Sequence, residues 1–366
     1  DIESQPFLEA IREVSLEQKK ENCLFVHVTL VPYIKSSGEH KSKPTQHSVK
    51  ELRSMGISPD IIVMRADEQV SIDIKEKISL FCNVKADCVI ENRTVPVLYE
   101  APVMLEESGF SKIVCRELGI KTGPCHMREW QEMLKRIENR KETVKIAITG
   151  KYVKLHDAYI SVAEAIKHGG YENGCWIDIN WVEAEEVTED SVADIFKDAA
   201  GILVPGGFGD RGIEGKILAA KYARENDVPY LGICIGMQTA AIEFARNVLG
   251  ISHACSGEFC EGGDSKVIDL MADQYADIQK GGTMRLGAYP CVIEKDTIMH
   301  RAYGKEQIYE RHRHRYEFNN DYRERFAAAG MQIAGTSPDG KLVEAVEIPA
   351  NHYFVGVQYH PEFKSR

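Results

Sequence analysis

Apolar residues occur along the chain either in short continuous runs or in longer stretches with helical spacing. In the first third, the continuous runs predict strands at Leu24 to Pro32, Asp60 to Met64 and Cys88 to Ile90. Helical spacing predicts helices at Pro6 to Glu17, Gln46 to Met55, Asp73 to Phe81 and Pro102 to Leu118. Buried strands that alternate with helices indicate a parallel sheet with helices on both faces, so we expect an α/β layer domain.

A second α/β series opens with the strand predicted at Val144 to Gly150 and continues with the segments WIDINWV, GILVP and PYLGIC. The residues between the two series are charged and weakly patterned and include Gly123 and Pro124, which indicates a linker with an exposed helix. No strand precedes the helix start near Asp1, so the first series is expected to be the C-terminal portion of a domain. We therefore predict two domains, each a mostly parallel sheet covered by helices, at 1–119 and 144–366, joined by a linker at 120–143.

Composition and charge exclude several classes of function. The 366 residues are 43% hydrophobic and carry a net charge of −11, which gives no general attraction to nucleic acid or to an anionic membrane. The apolar runs are too short to span a bilayer. Ten cysteines without a CxxC pair favour reduced thiols and disfavour structural zinc. These features predict a cytoplasmic protein that binds neither nucleic acid nor a membrane.

The segment YLGICIGMQ places Cys234 between a predicted buried strand and a predicted helix at Gly236 to Val248. Glycines on both sides of the cysteine permit a strained turn of the nucleophile-elbow type, with the sulfur at a helix N-terminus that favours the thiolate. Such a cysteine can attack a carbonyl carbon. The alternative is that Cys234 is a small buried apolar residue, which is the commoner state of cysteine.

Two further segments favour the catalytic interpretation of the cysteine. VQYHPEF predicts a strand ending in His360, with Glu362 on the same face if the chain stays extended, and a cysteine, a histidine and a carboxylate make a triad. LVPGGFGDRG predicts a strand that runs into a glycine cluster whose N–H groups, with that of Ile235, can form an oxyanion hole.

The order GGFG, GICIGMQ and HPE resembles the class I glutamine amidotransferase family over about Val144 to the chain end. The resemblance implies that Cys234 attacks the side-chain amide of glutamine. It also implies that His360, oriented by Glu362, accepts the thiol proton and protonates the departing ammonia.

Three other segments, SGEF, GGTMRLG and ERHRHRYEFN, resemble the CTP synthase family more specifically. The resemblance implies a set of glutamine-binding residues: Gly207, Ile235, Gly236, Met237, Gln238, Glu258 and Arg315. A cation and a carboxylate suit an amino acid zwitterion. The rest of the RHRHR run, Arg311 to His314, is interpreted as a basic surface patch rather than a metal site.

The first third resembles the nucleotide-binding segments of the same family at DIESQPF and KSKPTQHSVKELR. The resemblance implies that UTP, or CTP as a feedback inhibitor, contacts Asp1, Ile2, Glu3, Lys41, Ser42, Lys43, Pro44, Thr45, Gln46 and Lys77. It places the ATP contacts at Arg93, Thr94 and Val95. Ammonium groups and a helix start near Thr45 could receive a triphosphate. Without the resemblance, Lys77 would be an exposed lysine and Arg93 a turn residue.

The resemblance also implies features that this chain lacks, namely an N-terminal phosphate loop, acidic Mg²⁺ ligands and a helix after HPEF. We therefore expect a fragment in which no residue binds the metal, and Mg²⁺ to act with ATP in the intact protein. The family further implies activation by GTP and assembly as a homotetramer, with filaments as a larger form. Two alternatives remain: the glutaminase of another amidotransferase, or a catalytically silent scaffold that senses nucleotides.

Overall fold

The computed structural model describes residues 2–260, 265–270 and 284–365. The chain divides into two compact units, Asp1–Glu138 and Asn139–Arg366. The domains predicted from the sequence, at 1–119 and 144–366 with a linker at 120–143, stay a prediction. No helix in the described ranges is both long enough and apolar enough to cross a membrane.

The first unit is built on a three-stranded parallel sheet with the strand order β1, β4, β5. Its strands are β1 (Val26–Leu30), β2 (Tyr33–Ile34), β3 (Glu39–His40), β4 (Ile61–Ala66) and β5 (Val89–Arg93). Its helices are α1 (Gln5–Glu17), α2 (Lys43–Ser54), α3 (Ile72–Cys82), α4 (Ala101–Glu107), α5 (Phe110–Glu117) and α6 (Arg128–Glu138). All three predicted strands are therefore present.

Two helix predictions in the first unit need correction. The helix expected at Pro102 to Leu118 is broken at Gly109, whose φ of +77° suits glycine and ends the helical path. Helix α2 begins at Lys43 rather than at Gln46, because Pro44 in its first turn is compatible with a helix start. Helix α6, inside the predicted linker, packs on its own unit: Ile137 is buried, and Trp130 Nε1 donates to the Tyr99 carbonyl at 2.7 Å.

The second unit contains a nine-stranded sheet with the order β13, β12, β15, β16, β17, β9, β8, β6, β7. The strands are β6 (Glu142–Gly150), β7 (Cys175–Glu183), β8 (Gly201–Val204), β9 (Tyr230–Ile233), β10 (Cys255–Ser256), β11 (Lys266–Leu270), β12 (Arg285–Ile293), β13 (Gln307–His314), β14 (Tyr316–Phe318), β15 (Gln332–Thr336), β16 (Val343–Glu347) and β17 (Phe354–Val357). The helices are α7 (Ile160–Glu172), α8 (Val192–Phe196), α9 (Ile213–Glu225), α10 (Ile235–Asn247), α11 (Ile298–Tyr303) and α12 (Arg323–Ala329).

The five strands from β17 to β7 are parallel, as expected, and contain the four strands read from the sequence for this half. The other four strands of the large sheet pair antiparallel and were not predicted. Both faces of the parallel part are buried, since Ile202 and Val204 of β8 pack in one apolar cluster and Leu203 in another. The α/β fold class is therefore confirmed.

One cysteine pair departs from the expectation of reduced thiols. Cys255 and Cys260 are joined as a disulfide, with their Cα atoms 6.5 Å apart. The pair brackets the short loop that carries Glu258. The spacing of four intervening residues gave no signal for this pairing, because it depends on how the loop folds back.

Candidate active site

Cys234 lies at the turn between β9 and α10, as the sequence predicts. Its backbone is strained, with φ of +55° and ψ of −106°, and its side chain is almost fully buried. The turn requires glycine on both sides: a Cβ at Gly232 would lie 2.5 Å from the Gly236 carbonyl carbon, and one at Gly236 would lie 2.2 Å from the Val204 oxygen. The Cys234 N–H donates to the Val357 carbonyl at 2.7 Å, which ties the elbow to β17.

His360 and Glu362 meet, but not on one strand. Strand β17 ends at Val357, and Pro361–Lys364 form a 3-10 turn, because proline suits the start of a helical turn. The expectation that both residues share the face of an extended strand is therefore wrong. The turn still brings Glu362 Oε1 to 2.8 Å from His360 Nδ1, and the His360 N–H donates to the Arg311 carbonyl at 2.8 Å.

The pairing with Glu362 fixes the chemistry of the imidazole. Nδ1 is engaged with the carboxylate, while Nε2 is buried. Burial acts to lower the pKa of His360, but hydrogen bonding and charge at Cys234 and Glu362 outweigh it and raise the pKa to about 10. A protonated imidazole beside the cysteine favours the thiolate, which is the nucleophilic form.

The glycine loop after β8 lies against both catalytic side chains. A Cβ at Gly206 would lie 2.6 Å from His360 Cε1 and 3.5 Å from Cys234 Cβ. Further along, the Gly209 N–H donates to Glu258 Oε1 at 2.8 Å and is therefore occupied. The N–H groups of Gly207 and of Ile235 in the first turn of α10 can bind an oxyanion.

A pocket with about 310 Å³ of empty space opens at the sulfur. It is lined by Gly207, Phe208, Cys234, Gln238, Glu258, His314, Arg315 and Tyr316. Of the seven residues expected to bind glutamine, four line this pocket: Gly207, Gln238, Glu258 and Arg315. The side chains of Ile235 and Met237 are buried elsewhere in the core, so these residues and Gly236 can offer only backbone groups to a ligand.

Lys216 of α9 is a buried cation beside the glycine loop, and it was not predicted from the sequence. It is 2% exposed, and its Nζ lies 3.8 Å from the position that a Cβ at Gly207 would take. Burial, followed by the charge of Lys151, lowers the pKa of Lys216 to about 8, although charges at Cys234 and Glu258 act in the opposite direction. The lysine thus adds positive potential at neutral pH where an anion would form.

The interpretation of Arg311 to His314 as a surface patch is correct for the arginines and wrong for the histidines. Strand β13 alternates exposed and buried residues, and this places His312 and His314 inside at 1% and 2% exposure. Burial, together with the charge of Arg285, lowers their pKa values to about 2 and about 3. Both rings are therefore neutral at pH 7. The period-2 pattern was the signal that could have revealed them.

The histidines belong to a buried polar cluster next to the pocket. His312 Nδ1 lies 2.8 Å from His314 Nε2, and Arg285 Nη1 lies 2.6 Å from Glu344 Oε1. His314 Nδ1 is 3.3 Å from the Tyr316 carbonyl, so this nitrogen donates and Nε2 accepts from His312. The cluster supports the pocket wall formed by His314 and Tyr316.

The residues expected to contact UTP or CTP lie mainly around the start of α2. Asp1 is outside the described residues, and Ile2 and Glu3 are exposed. Thr45 is fully buried, with its hydroxyl donating to Thr29 Oγ1 at 3.0 Å, so it holds the fold and offers no free hydroxyl. Lys41 pairs with Glu39, and Gln46 Nε2 donates to Ser42 Oγ.

The pKa of Glu39 is lowered by its hydrogen bond and charge interaction with Lys41 and, to a smaller extent, by the charge of Lys77. Lys43 and Pro44 form the first turn of that helix. Lys41 and Lys77 thus both act on the carboxylate of Glu39, and the ligand of the three lysines stays a prediction.

Arg93, Thr94 and Val95 line a pocket with about 860 Å³ of empty space in the first unit. The pocket wall also carries five carboxylates, from Asp67, Glu68, Glu100, Glu107 and Glu138. Thr94 Oγ1 donates to Asp67 Oδ1 at 2.9 Å, and Arg93 Nε lies 3.6 Å from Glu91 Oε1. In the described ranges no group of three His, Cys, Asp or Glu side chains could hold a metal ion. The described residues thus do not fit a Mg²⁺ site.

Comparisons with known proteins cover the whole chain. Residues 1–120 match the family described as CTP synthase N-terminus, and residues 154–366 match glutamine amidotransferase class-I. A CTP synthase of Ruminiclostridium cellulolyticum is 56% identical over 366 residues, which is 100% of this chain and 68% of that protein. A CTP synthase of Geobacillus kaustophilus is 54% identical over the same length and 69% of its own. The chain belongs to the CTP synthase family.

Among solved structures, the chain is similar to the glutaminase domain of Trypanosoma brucei CTPS with bound acivicin. The two superimpose with a TM-score of 0.56 and 42% identity, over 60% of this chain and 86% of that one. The match to the class-I amidotransferase family contains Cys234, His360 and Glu362. The CTP synthase family match in the first third contains the residues around α2 and β5.

Proposed function

We propose that the protein forms CTP from UTP, using ammonia that Cys234 releases from glutamine. The observation that carries the glutaminase half is the geometry of the elbow. Cys234 is held in a strained turn at the N-terminus of α10, beside an imidazole whose Nδ1 lies 2.8 Å from Glu362 Oε1. A nucleophile, a base and an orienting carboxylate in this arrangement suit acyl transfer.

In the proposed reaction, the thiol proton passes to His360 Nε2 and the sulfur attacks the side-chain carbonyl carbon of glutamine. The oxyanion of the tetrahedral intermediate accepts hydrogen bonds from the N–H groups of Gly207 and Ile235. When the C–N bond breaks, His360 returns the proton to the nitrogen, which leaves as ammonia. Water then cleaves the thioester, giving glutamate and the free thiol.

The residues of the pocket suit the amino acid end of glutamine. Arg315 offers a cation for the α-carboxylate, and Glu258 offers an anion for the α-ammonium group. His314 is neutral, so it adds no charge to this recognition. These assignments explain why the pocket walls carry opposite charges within one small space.

The synthetase half of the proposal rests on the family and on the two nucleotide regions of the first unit. ATP would phosphorylate the 4-oxygen of UTP, ammonia would displace the phosphate, and the products would be CTP, ADP and phosphate. Lys41, Lys43 and Lys77 are proposed to contact UTP or CTP, and Arg93 to Val95 to contact ATP. The proposal also includes Mg²⁺ bound with ATP, activation by GTP and inhibition by CTP. It further includes a homotetramer that also forms filaments, and a cytoplasmic location.

The test is CTP formation by the intact protein, with either glutamine or ammonia as the nitrogen source. Cys234→Ala should lose the glutamine-dependent reaction and keep the ammonia-dependent one. Cys291→Ala is the matched control, because Cys291 is equally buried but its pKa is raised to about 12 by burial, so it stays a thiol. If the wild type hydrolyses glutamine yet aminates UTP with neither source, the synthetase proposal fails. If it does not hydrolyse glutamine at all, the silent-scaffold alternative gains support.

A further inference from the structure

Gln358 is a fully buried polar residue that contacts the nucleophile and has no part in the mechanism above. It follows β17, is 0% exposed, and its N–H donates to the Glu344 carbonyl at 2.8 Å. Its side-chain Nε2 lies 3.7 Å from Cys234 Sγ, within the range of a hydrogen bond to sulfur. Its Oε1 lies 3.1 Å from Gln238 Nε2.

The direction of this contact follows from the amides around it. Gln238 Nε2 lies 3.1 Å from the carbonyl oxygen of Tyr316, and a carbonyl can only accept, so the NH₂ end of Gln238 must face it. The same NH₂ group faces the side chain of Gln358, which must therefore present its oxygen. The remaining end of Gln358, the NH₂ group, then points to the sulfur. Rotating either amide would place two donors or two acceptors against each other.

We propose that Gln358 is a positioning residue that donates a hydrogen bond to Cys234 Sγ and holds the thiolate in its attacking position. This proposal rests on the glutaminase function proposed above. A buried N–H directed at a sulfur stabilises the anion over the neutral thiol, because a hydrogen bond to a charged group is stronger than one to a neutral group. The Tyr316 carbonyl and Gln238 form the chain that keeps this donor in place.

Gln358 does not line the pocket, so its effect should differ from that of a glutamine-binding residue. The rate of the chemical step should fall while the KM for glutamine changes little. Ammonia-dependent CTP formation does not use Cys234, so it should be unchanged. These differences separate a role at the sulfur from a role in binding substrate.

Two variants of the intact protein test the proposal. Gln358→Met keeps the length of the side chain and removes the donor, and Gln358→Glu keeps its shape and offers a donor only when protonated. The control is Thr239→Val, which removes another fully buried polar group of the elbow, one that bonds the Gly236 carbonyl and not the sulfur. Alkylation of Cys234 by iodoacetamide is followed by mass spectrometry from pH 5 to about pH 9. Cys234→Ala, which lacks this thiol, gives the background signal.

For Gln358→Met we expect alkylation near pH 7 to be about tenfold slower or more, with the pH midpoint of alkylation moved upward and kcat reduced in proportion. Gln358→Glu donates only while its buried carboxyl is protonated, so its alkylation rate relative to the wild type should fall as the pH rises toward about 9. Thr239→Val should match the wild type. If both Gln358 variants are alkylated at the wild-type rate and midpoint, the proposal is overturned, even if their thermal stability falls. Loss of glutamine hydrolysis in the wild type would instead overturn the proposed function, and the alkylation data would still report on Gln358.

Discussion

A single methyl group at Gly206 should disable the glutaminase without unfolding it. In Gly206→Ala the new Cβ would stand 2.6 Å from His360 Cε1, and ordinary contact begins at 3.4 Å. The imidazole must therefore retreat by about 0.8 Å, because the new Cβ also contacts Cys234 Cβ, at 3.5 Å, and cannot shift freely. Such a shift also stretches the 2.8 Å contact between His360 Nδ1 and Glu362. Since a misplacement of about 1 Å can cost about 100-fold in rate, we expect kcat/KM to fall about 30- to 100-fold.

The assay is the release of glutamate from glutamine, with the melting temperature measured in parallel. Gly201→Ala is the matched control. Gly201 is the first residue of β8, and Gly206 lies two residues after the end of the same strand. The nearest atom to a Cβ at Gly201 is the flexible end of Ile146, at 3.1 Å. The control should keep its activity within a few-fold. Gly206→Ala with wild-type kcat/KM would refute the inference that the loop fixes the distance between base and nucleophile.

Two further predictions concern buried charge. Because the pKa of His360 is raised from 6.5 to about 10, its protonated form stabilises the fold in full below about pH 6.5, and this contribution is lost as the pH rises toward 10. In Glu362→Gln, the free energy of unfolding should therefore decline less steeply with pH across this range than in the wild type. Urea unfolding at several pH values measures this decline, and equal slopes in the two proteins would contradict the pairing. Glu344→Met leaves Arg285 buried without the carboxylate at 2.6 Å, so the free energy of unfolding should fall by about 3–5 kcal/mol. Adding Arg285→Met to this variant should recover most of that free energy. A double variant as unstable as the single one would show that the pair is not coupled.

The parts of the fold that the sequence predicted are those set by local patterns. Continuous apolar runs located the parallel strands on both sides of the elbow, because a strand buried on both faces needs apolar residues at every position. The break at Gly109 was missed, since the helical spacing of apolar residues continues across it. The antiparallel strands β12 to β16 were also missed, because their pairing is set by contacts distant in sequence.

The motifs predicted which residues are catalytic, while the geometry that brings these residues together was not predicted. His360 and Glu362 were placed on one extended face, and the 3-10 turn at Pro361 brings them together by another route. Gln358 is two residues before His360, yet nothing in its local sequence marks it as a donor to sulfur. Its role depends on Gln238 and on a carbonyl in β14, both far away in the chain.

The histidines around the site show why residue type alone does not assign charge. His314 and His360 lie near the same cysteine, yet the pKa of the first is lowered to about 3 and that of the second is raised to about 10. Burial acts on both in the same direction, so the difference comes from their partners: Arg285 next to His314, and Glu362 and Cys234 next to His360. Because His314 stays neutral, the proposal assigns to His360 the proton that leaves with ammonia. The same neutrality leaves Arg315 as the cation among the described residues that line the pocket, and for this reason Arg315 is proposed to bind the carboxylate of glutamine.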